Sequence, residues 1–291
     1  MSTPIKSIND DKTITTEYCS KYGFKEGGYY YFFNVLEELD APGEYYIDRD
    51  NGILYFYPPD ENGNSKIMLS TSNENIISIT EKASNITISD ITLQGTRTDA
   101  LNVAGENCKI VNCTVKNAAE CGINVSGRNN LVENCEVTFI GKDAVVLSGG
   151  SAEGFVYGNN TVTNNSLHDY GEIQKTYIAG VNLSGIGNVV SHNEIYNAPH
   201  MGVYYTGNEN VVEYNYIHDV VLQSSDAGAI YTGYSYSTYG NVVRYNCISN
   251  IGSALLHQAA FTLTIILQAD GIRKCAYQYP GLRFPCRRRQ R

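Results

Sequence analysis

The chain has 291 residues, of which 42% are hydrophobic, and it contains 24 tyrosines but no tryptophan. This length suits one large domain or two small ones, and no run of about 18 apolar residues predicts a transmembrane helix. The net charge of −9 is divided unevenly: residues 254–291 carry seven basic and one acidic side chain, and the remainder carries 14 basic and 29 acidic ones, a net charge of −15. Because phosphate binding needs a basic surface, the acidic body argues against a nucleic-acid partner.

The N-terminal sequence MSTPIKSINDDKTITTEYC lacks the basic and apolar regions of a secretory signal peptide. Export of the chain as written is therefore not predicted. A longer parent protein that is secreted or periplasmic stays compatible with the sequence, so the localisation is left open.

Residues 33–59, FNVLEELDAPGEYYIDRDNGILYFYPP, predict a short helix followed by a β-hairpin. Asn34 and Glu37 have the spacing of a capping box, and the PG pair ends the helix. GEYYID and ILYFYP are typical strands on either side of RDNG, whose glycine supplies the positive φ of a tight turn. We expect residues 1–74 to form a cap region that covers the open start of the repeat array that follows.

The middle of the chain, residues 75–253, repeats with a basic period of 22 residues. Two asparagines recur five residues apart, and strands such as CGINVSG and DAVVLSG alternate with period two and end in glycine. Alternation gives each strand one inward and one outward face, and short strands joined by single turns fit a coil of parallel strands. The prediction is an all-β fold, a right-handed parallel β-helix of about seven rungs. The asparagine pairs are Asn107/Asn112, Asn129/Asn134, Asn160/Asn165, Asn188/Asn193, Asn210/Asn215 and Asn241/Asn246.

The repeat also predicts the environment of the asparagine columns and of three cysteines. Stacked asparagine side chains tolerate tight turns and hydrogen-bond from rung to rung, which is a structural role with no part in catalysis. Cys113, Cys135 and Cys247 each follow a repeat asparagine, so we expect an inward column of small buried side chains with free thiols. No cysteine or histidine cluster has the spacing of a zinc site, and no metal or other cofactor is predicted.

In this repetition the chain resembles the parallel β-helix repeat proteins of bacterial carbohydrate metabolism, whose pectin lyase-like fold is shared by lyases, hydrolases, epimerases and adhesins. Residues 33–59 are similar to a segment of β-helix glycoside hydrolase-like proteins. SSDAGAIYTG, residues 224–233, resembles the segment that carries one catalytic acid in those hydrolases. The resemblance implies a hydrolase that acts on a plant or host polysaccharide or oligosaccharide, with Asp226 as one catalytic carboxylate.

An alignment of the second strands on their final glycine places a candidate site around Asp226. Neighbouring rungs stack about 4.8 Å apart, so Asp226 is expected beside His200 and near the outward Tyr204, opposite the inward Ala229 and Tyr231. We therefore predict catalytic roles for Asp226 and His200. The aligned column contains Thr98, Glu120, Lys142, Ile178, His200 and Asp226.

Two insertions that contain tyrosine flank this face, residues 168–177 and residues 234–239. Walls of this composition suit sugar rings, which present apolar faces and hydroxyl edges together. We predict substrate contacts for Tyr204, Tyr234, His218 and Asp219. Hydrolysis needs a carboxylate pair, about 5–5.5 Å apart for retention or about 6.5–9.5 Å apart for inversion, and offsets of one or two rungs supply such separations.

Several of these residues also have a structural interpretation. As a strand-entry residue, Asp226 would instead bond turn amides. His168–Asp169 and His218–Asp219 occupy equivalent places, where they form either an oriented general base or a stacked surface ladder. Asp143, beside Lys142, lies three rungs from Asp226 and can reach only a distal sugar.

The repeat breaks after residue 253. Residues 254–291 contain no repeat asparagine, no closing strand and one acid, Asp270, where the resemblance implies a partner acid in a strand similar to IYLDD. The tail is either a genuine capping helix or an out-of-frame, disordered extension that truncates a longer enzyme. The second interpretation predicts an incomplete fragment of doubtful activity.

Three functions remain open from the sequence. They are a glycoside hydrolase-like protein, a non-catalytic glycan-binding solenoid, and a polysaccharide lyase or epimerase. The last class needs basic residues for a uronate and often Ca²⁺. The expected partner is a carbohydrate, with no nucleic acid and no membrane, and the oligomeric state is left open.

Overall fold

The structure, a computed structural model, describes residues 3–19, 23–24, 26–27, 30–60, 67–224, 226–233, 237–252 and 276–278. Its contacts divide the chain into two compact units, Met1–Leu69 and Ser70–Arg291. Within these described ranges no helix is long and apolar enough to cross a membrane. Apart from Ala276–Gln278, the tail that follows residue 252, including Asp270, lies outside the described residues.

The first unit contains two antiparallel hairpins. The paired strands are Ile5–Ile8 with Ile14–Thr16, and Tyr45–Asp48 with Ile53–Phe56. In the second hairpin the Asp48 carboxylate accepts two backbone N–H groups of the turn, at 3.1 and 3.0 Å. Together with Gly52 at φ 68°, this side-chain cap forms the tight turn that the RDNG sequence predicts.

A single turn of 3-10 helix, Leu36–Glu38, lies between the hairpins in the chain, and here the predicted capping box of Asn34 and Glu37 is wrong. The helix has no side-chain cap. Instead the Asn34 amide binds the hairpin: its Oδ1 accepts the Ile47 N–H at 2.8 Å, and its Nδ2 donates to the Ile47 carbonyl at 3.0 Å. An amide that both donates and accepts matches a strand-edge residue whose two backbone groups are free, whereas a cap needs only an acceptor.

The second unit is a right-handed parallel β-helix, which confirms the predicted fold. Three parallel sheets run along it, and neighbouring strands in each sheet belong to consecutive rungs. Ile123, for example, pairs with Leu101 of the preceding rung and with Val145 of the following one. Two of the sheets have seven strands each, in agreement with the seven predicted rungs.

We name the three sheets in the order in which the chain crosses them. Sheet I consists of Ile77–Ile79, Leu101–Val103, Ile123–Val125, Val145–Leu147, Ala179–Leu183, Met201–Tyr205 and Ile230–Tyr231. Sheet II consists of Thr87–Ser89, Lys109–Val111, Leu131–Glu133, Thr161–Thr163, Val189–Ser191, Val211–Glu213 and Val242–Arg244. Sheet III consists of Thr92–Thr96, Thr114–Ala118, Glu136–Ile140, Ser166–Tyr170, Glu194–Tyr196, Tyr216–Val220, Cys247–Ile251 and Ala276–Gln278. A short hairpin, Gly150–Ser151 with Val156–Tyr157, forms in an insertion.

The core is a set of aliphatic columns inside the coil. Alternate residues of each strand point inward, so Leu101, Ile123 and Val145 stack on one another and are fully buried. Sheet I keeps small residues where it approaches sheet III: a Cβ added to Gly180 would lie 2.5 Å from Ile195 Cγ2. These columns hold the rungs in register, because a slip of one residue would turn every apolar side chain outward.

Two columns of buried asparagine side chains connect the rungs at the corners before sheets II and III. Each side-chain oxygen accepts the backbone N–H one rung earlier: Asn188 donates to Asn210 Oδ1 at 2.9 Å, and Asn193 donates to Asn215 Oδ1 at 3.0 Å. The Asn193 Nδ2 also donates to the Val162 carbonyl and to Asn215 Oδ1, both at 3.0 Å. These amides satisfy backbone groups that would otherwise be buried without a partner at the corners.

The predicted alignment of the asparagine pairs is wrong by one residue on the early rungs. Strand pairing aligns the buried columns as Cys108, Asn130, Asn160, Asn188, Asn210, Asn241 and as Cys113, Cys135, Asn165, Asn193, Asn215, Asn246. Asn107, Asn112, Asn129 and Asn134 lie one position earlier, where they are exposed and left-handed, with φ between 53° and 56°. The turn position and the ladder position both favour asparagine, so the sequence pattern merges two adjacent columns.

The same shift of one residue applies to the predicted column of cysteines. Cys113 and Cys135 occupy the inward column, as predicted, and are 1% and 2% exposed. The prediction for Cys247 is wrong: it pairs with Tyr216, one position later, and is exposed. The cysteines of the described ranges carry free thiols. Burial raises the pKa of the Cys135 thiol to about 11, so this inner thiol is a poor nucleophile.

Asn193→Ala removes one ladder amide and leaves the Asn165 N–H and the Val162 carbonyl without this partner. Since each unsatisfied buried group costs roughly 1–3 kcal/mol, we expect the free energy of unfolding to fall by about 2–5 kcal/mol. Urea unfolding followed by circular dichroism measures the change. Asn134→Gly is the matched control, because Asn134 is exposed at φ 53° and glycine adopts this conformation freely. Equal effects of the two substitutions would contradict the ladder.

Candidate functional site

The outward face of sheet I carries amides on several rungs and tyrosines on its last two. Tyr204 and Tyr231 pair directly across neighbouring strands, with ring centroids 6.2 Å apart and an interplanar angle of 31°. Both residues are half-buried, which leaves part of each phenol open to a ligand. The column to which they belong is Ser78, Asn102, Asn124, Val146, Asn182, Tyr204 and Tyr231.

The predicted inward orientation of Tyr231 is wrong, because the last strand is shifted by one residue relative to the alignment on glycine. Val203 pairs with Ile230, which is buried at 3% exposure, and Ala229 is buried as predicted. The shift lets the apolar side chain of Ile230 fill the core and sends the phenol of Tyr231 outward. Sequence reasoning therefore missed Tyr231 as a neighbour of Tyr204. The change from an aliphatic to an amphipathic side chain between residues 230 and 231 is the signal that would have found it.

His200 and Asp226 lie near each other at the corner that leads from sheet III into sheet I. His200 is 3% exposed, and its Nδ1 lies 3.3 Å from the Ile178 carbonyl oxygen. Burial lowers the pKa of His200, while the Ile178 carbonyl and the charge of Asp226 oppose this shift. The Asp226 carboxylate is exposed, so the corner combines a solvent-facing acid with a buried imidazole. By strand register Ala227 is level with His200, one residue from the predicted alignment.

The surroundings of His200 Nδ1 fix the tautomer of the uncharged ring. A carbonyl oxygen only accepts hydrogen bonds, so Nδ1 carries the proton and Nε2 carries the lone pair. Tyr177, from the insertion at residues 168–177, places its ring 6.1 Å from the imidazole and is 67% exposed. Tyr234, predicted for the opposite wall, lies outside the described residues.

His218 and Asp219, which were also predicted to contact substrate, belong to sheet III and not to the face with the tyrosine pair. His218 Nδ1 is 2.7 Å from Asp219 Oδ2, and Nε2 is 3.3 Å from Glu194 Oε1. The rings of His218 and His168 both stack on Tyr196, at 5.0 and 4.6 Å. These contacts match the stacked surface ladder that the sequence offers as an alternative, and a substrate contact of His218 and Asp219 stays a prediction. In the described part of the chain, no group of three or more His, Cys, Asp or Glu residues forms a metal-binding cluster.

Asp143 is a buried carboxylate at the equivalent corner three rungs before Asp226. It is 7% exposed, and its Oδ1 accepts the Ala179 N–H at 2.7 Å. Burial raises its pKa to about 6, while the Ala179 N–H, the Asn182 amide and the Lys142 charge act in the opposite direction. Its main partner is the backbone of the following rung, so Asp143 also connects two rungs, in the direction opposite to that of the ladder asparagines, whose oxygens accept from the preceding rung.

The fold and its parallel sheets define the class: the chain is a right-handed parallel β-helix protein. The family model described as right handed beta helix region matches residues 61–185, which include the early rungs of the solenoid. No curated protein matches the sequence.

Three solved structures are similar to part of the chain. The A-module of mannuronan C-5 epimerase AlgE4 from Azotobacter vinelandii is 19% identical, over 59% of this chain and 47% of that one, with a TM-score of 0.48. Tailspike protein 2 of Escherichia coli O157:H7 bacteriophage CAB120 is 14% identical, over 57% of this chain and 21% of that one, with a TM-score of 0.45. XylC in complex with xylose is 11% identical, over 75% of this chain and 48% of that one, with a TM-score of 0.45. This chain spans less than half the length of each, and likenesses of this size carry no argument about activity.

Asp143→Asn removes the buried charge and keeps an acceptor for the Ala179 N–H. The pKa of about 6 in the folded protein lies above the ordinary value of 3.8, so the stability that Asp143 contributes is lost as the pH rises from about 4 to about 7. Relative to the variant, the wild type should lose about 2–3 kcal/mol of unfolding free energy across this range. Urea unfolding at several pH values measures the difference. Val146→Thr, an outward neighbour without a titrating group, is the control, and a difference for Asp143→Asn that stays constant with pH would rule out the buried charge.

Proposed function

We propose that the chain binds an oligosaccharide against the outward tyrosines of sheet I and that Asp226 is one carboxylate of a glycoside hydrolase site. The observation that carries the proposal is an exposed carboxylate beside a buried imidazole whose pKa is lowered, at the entry to the strand of Tyr231. Tyr204 pairs with Tyr231 on the same sheet. Sugar rings have apolar faces and hydroxyl edges, and this combination of phenol rings, an acid and a nitrogen lone pair matches both.

In this proposal Asp226 acts on the glycosidic bond, and the buried His200 beside it belongs to the catalytic corner. Hydrolysis needs one group that protonates the leaving oxygen and a second that serves as nucleophile or base. Equivalent positions on consecutive rungs lie about 4.8 Å apart. A partner acid one or two rungs from Asp226 would therefore meet the separations of about 5–5.5 Å for retention or about 6.5–9.5 Å for inversion.

A non-catalytic glycan-binding solenoid is the second candidate, and one observation favours it. The described outward column of sheet I consists of one serine, three asparagines, one valine and two tyrosines, and it holds no carboxylate. Such a column can bind hydroxyl groups and ring faces without breaking a bond. The two candidates differ in what the loss of the Asp226 charge changes.

Tyr204→Ala should weaken oligosaccharide binding about tenfold or more, because loss of one aromatic contact costs on the order of 1.4 kcal/mol. Isothermal titration calorimetry with neutral xylo-, gluco- and galacto-oligosaccharides measures the affinity. Phe139→Asn is the control, since it removes an exposed ring on sheet III, outside the outward column of sheet I. If both variants bind as tightly as the wild type, the tyrosine pair is not part of the site.

Asp226→Asn tests the catalytic part of the proposal. A hydrolase should release reducing ends from the bound oligosaccharide, and the variant should lose at least about 100-fold in rate while it retains binding. Asp90→Asn is the matched control, because Asp90 has φ 59° in an exposed turn and bonds Asn112, the asparagine of the next rung. Binding without turnover in the wild type would favour the glycan-binding candidate, and turnover that survives Asp226→Asn would exclude Asp226 as a catalytic carboxylate.

A further inference from the structure

The left-handed turn position before sheet III changes its composition halfway along the solenoid. Early rungs have asparagine there, and three consecutive later rungs have aromatic rings, all with φ between 53° and 57°. All of these side chains are exposed. In chain order the residues are Asn112, Asn134, Asn164, His192, Tyr214 and Tyr245.

Tyrosine is an unfavourable choice for this conformation. Asparagine tolerates positive φ because its short amide bonds the local backbone, and histidine is also enriched there, whereas tyrosine gains no such local bond. The rings do stack on one another: His192 and Tyr214 are 5.0 Å apart at 18°, and Tyr214 and Tyr245 are 5.0 Å apart at 21°. Strained positions that persist in a fold concentrate at functional sites, so the change from asparagine to aromatic residues indicates a functional role for these exposed rings.

A second group of rings lies beside the first, on the outward face of sheet III. Tyr196 stacks on His218 at 5.0 Å with an angle of 3°, and Tyr216 stacks on the same His218 at 4.3 Å. The second group occupies the first two of the three rungs that carry the first group. We name the set the sheet III strip, and its members are His192, Tyr196, Tyr214, Tyr216, His218 and Tyr245.

The strip presents phenols and ring edges to solvent. Tyr214, Tyr216 and Tyr245 are 48%, 42% and 47% exposed. Because the rings stack with nearly parallel planes, their faces cover one another, and their edges and hydroxyl groups are left for a ligand. The ring centroids of His192, Tyr214 and Tyr245 repeat every 5.0 Å along the solenoid, and the two tyrosines carry hydroxyl groups.

The charged residues around the strip favour a neutral ligand over an anionic one. The carboxylates of Glu194 and Asp219 border it at His218. The Arg244 guanidinium lies over the Tyr245 ring, 5.7 Å from its centroid, and its charge is balanced by the Glu213 carboxylate at 2.6 Å. A polyanion such as a uronate polymer or a nucleic acid would be repelled by these acids. A neutral polymer rich in hydroxyl groups can donate to the carboxylates, exchange hydrogen bonds with the phenols and place its C–H groups against the ring edges.

We propose that the sheet III strip is a binding surface for a neutral polysaccharide, separate from the site on sheet I. A linear polymer with regularly repeated hydroxyl groups lies along the solenoid and contacts three consecutive rungs. The proposal does not depend on hydrolysis at Asp226, since the strip is on another sheet and contains other residues.

The triple variant His192→Asn, Tyr214→Asn, Tyr245→Asn tests the proposal, because it restores the asparagine of the early rungs and so keeps a residue suited to the turn. It is made in the Tyr204→Ala background, so that binding at sheet I does not mask the loss. Affinity gel electrophoresis with soluble arabinoxylan, mixed-linkage β-glucan and galactomannan measures binding. We expect the Tyr204→Ala protein to be retarded by at least one neutral polymer and not by polygalacturonate, and the triple variant to lose at least tenfold in affinity.

Phe139→Asn in the same background is the matched control, since it removes an exposed ring at φ 53° outside the strip and should leave the retardation unchanged. Hydrolysis at Asp226 is measured separately, as the release of reducing ends, which separates the failure of this proposal from the failure of the site on sheet I. Unchanged retardation of the triple variant overturns the proposal, and so does a lack of retardation by all three neutral polymers. A lower unfolding temperature of the triple variant with intact binding would show that the rings only stabilise the turn.

Discussion

The backbone N–H at each corner of the coil needs an acceptor from the neighbouring rung, and the rest of the solenoid depends on how that acceptor is supplied. Before sheets II and III it is an asparagine oxygen, as in the bonds from Asn188 and Asn193 to the next rung. Before sheet I the acceptor on two rungs is a carboxylate: Asp99 accepts the Cys121 N–H at 2.9 Å, and Asp143 accepts the Ala179 N–H. With the corners satisfied in this way, short strands can turn sharply and still stack with unbroken hydrogen bonding.

Because the hydrogen bonds between rungs fix the backbone, the inward and outward residues of a strand are under different constraints. The inward columns must keep their size and register, but the residue one position away faces solvent and can change without disturbing the core. Insertions are tolerated for the same reason: successive buried asparagines of one column lie 30, 28, 22 and 31 residues apart, yet each donates to the next in the same manner. The aromatic residues at the corners and on sheets I and III can therefore contact a ligand without disturbing the core. The spacing of the rungs sets the spacing of their rings.

The sequence was sufficient for the features that repeat. The period of 22 residues, the alternating strands and the RDNG turn predicted the parallel β-helix, its number of rungs and the hairpin of the first unit, and they brought Asp226 to the neighbourhood of His200. What the sequence did not reveal depends on single-residue register. Asparagine suits both a left-handed turn and a buried ladder, so Asn134 and Asn165 look equivalent although one is exposed and the other buried. The orientation of Tyr231 depended on which neighbour filled the core, and the amide of Asn34 found a strand edge 13 residues away in the chain.

The reactivity of the buried thiols reports local opening of the solenoid. Cys108, Cys113 and Cys135 sit in the corner columns of early rungs, where an alkylating reagent can reach them only when the corners separate. Cys247, by contrast, is open to solvent on a late rung and gives the rate of unhindered labelling. In a linear stack each rung is supported only by its neighbours. The order in which the reagent modifies these four native cysteines would therefore show the order in which the rungs open.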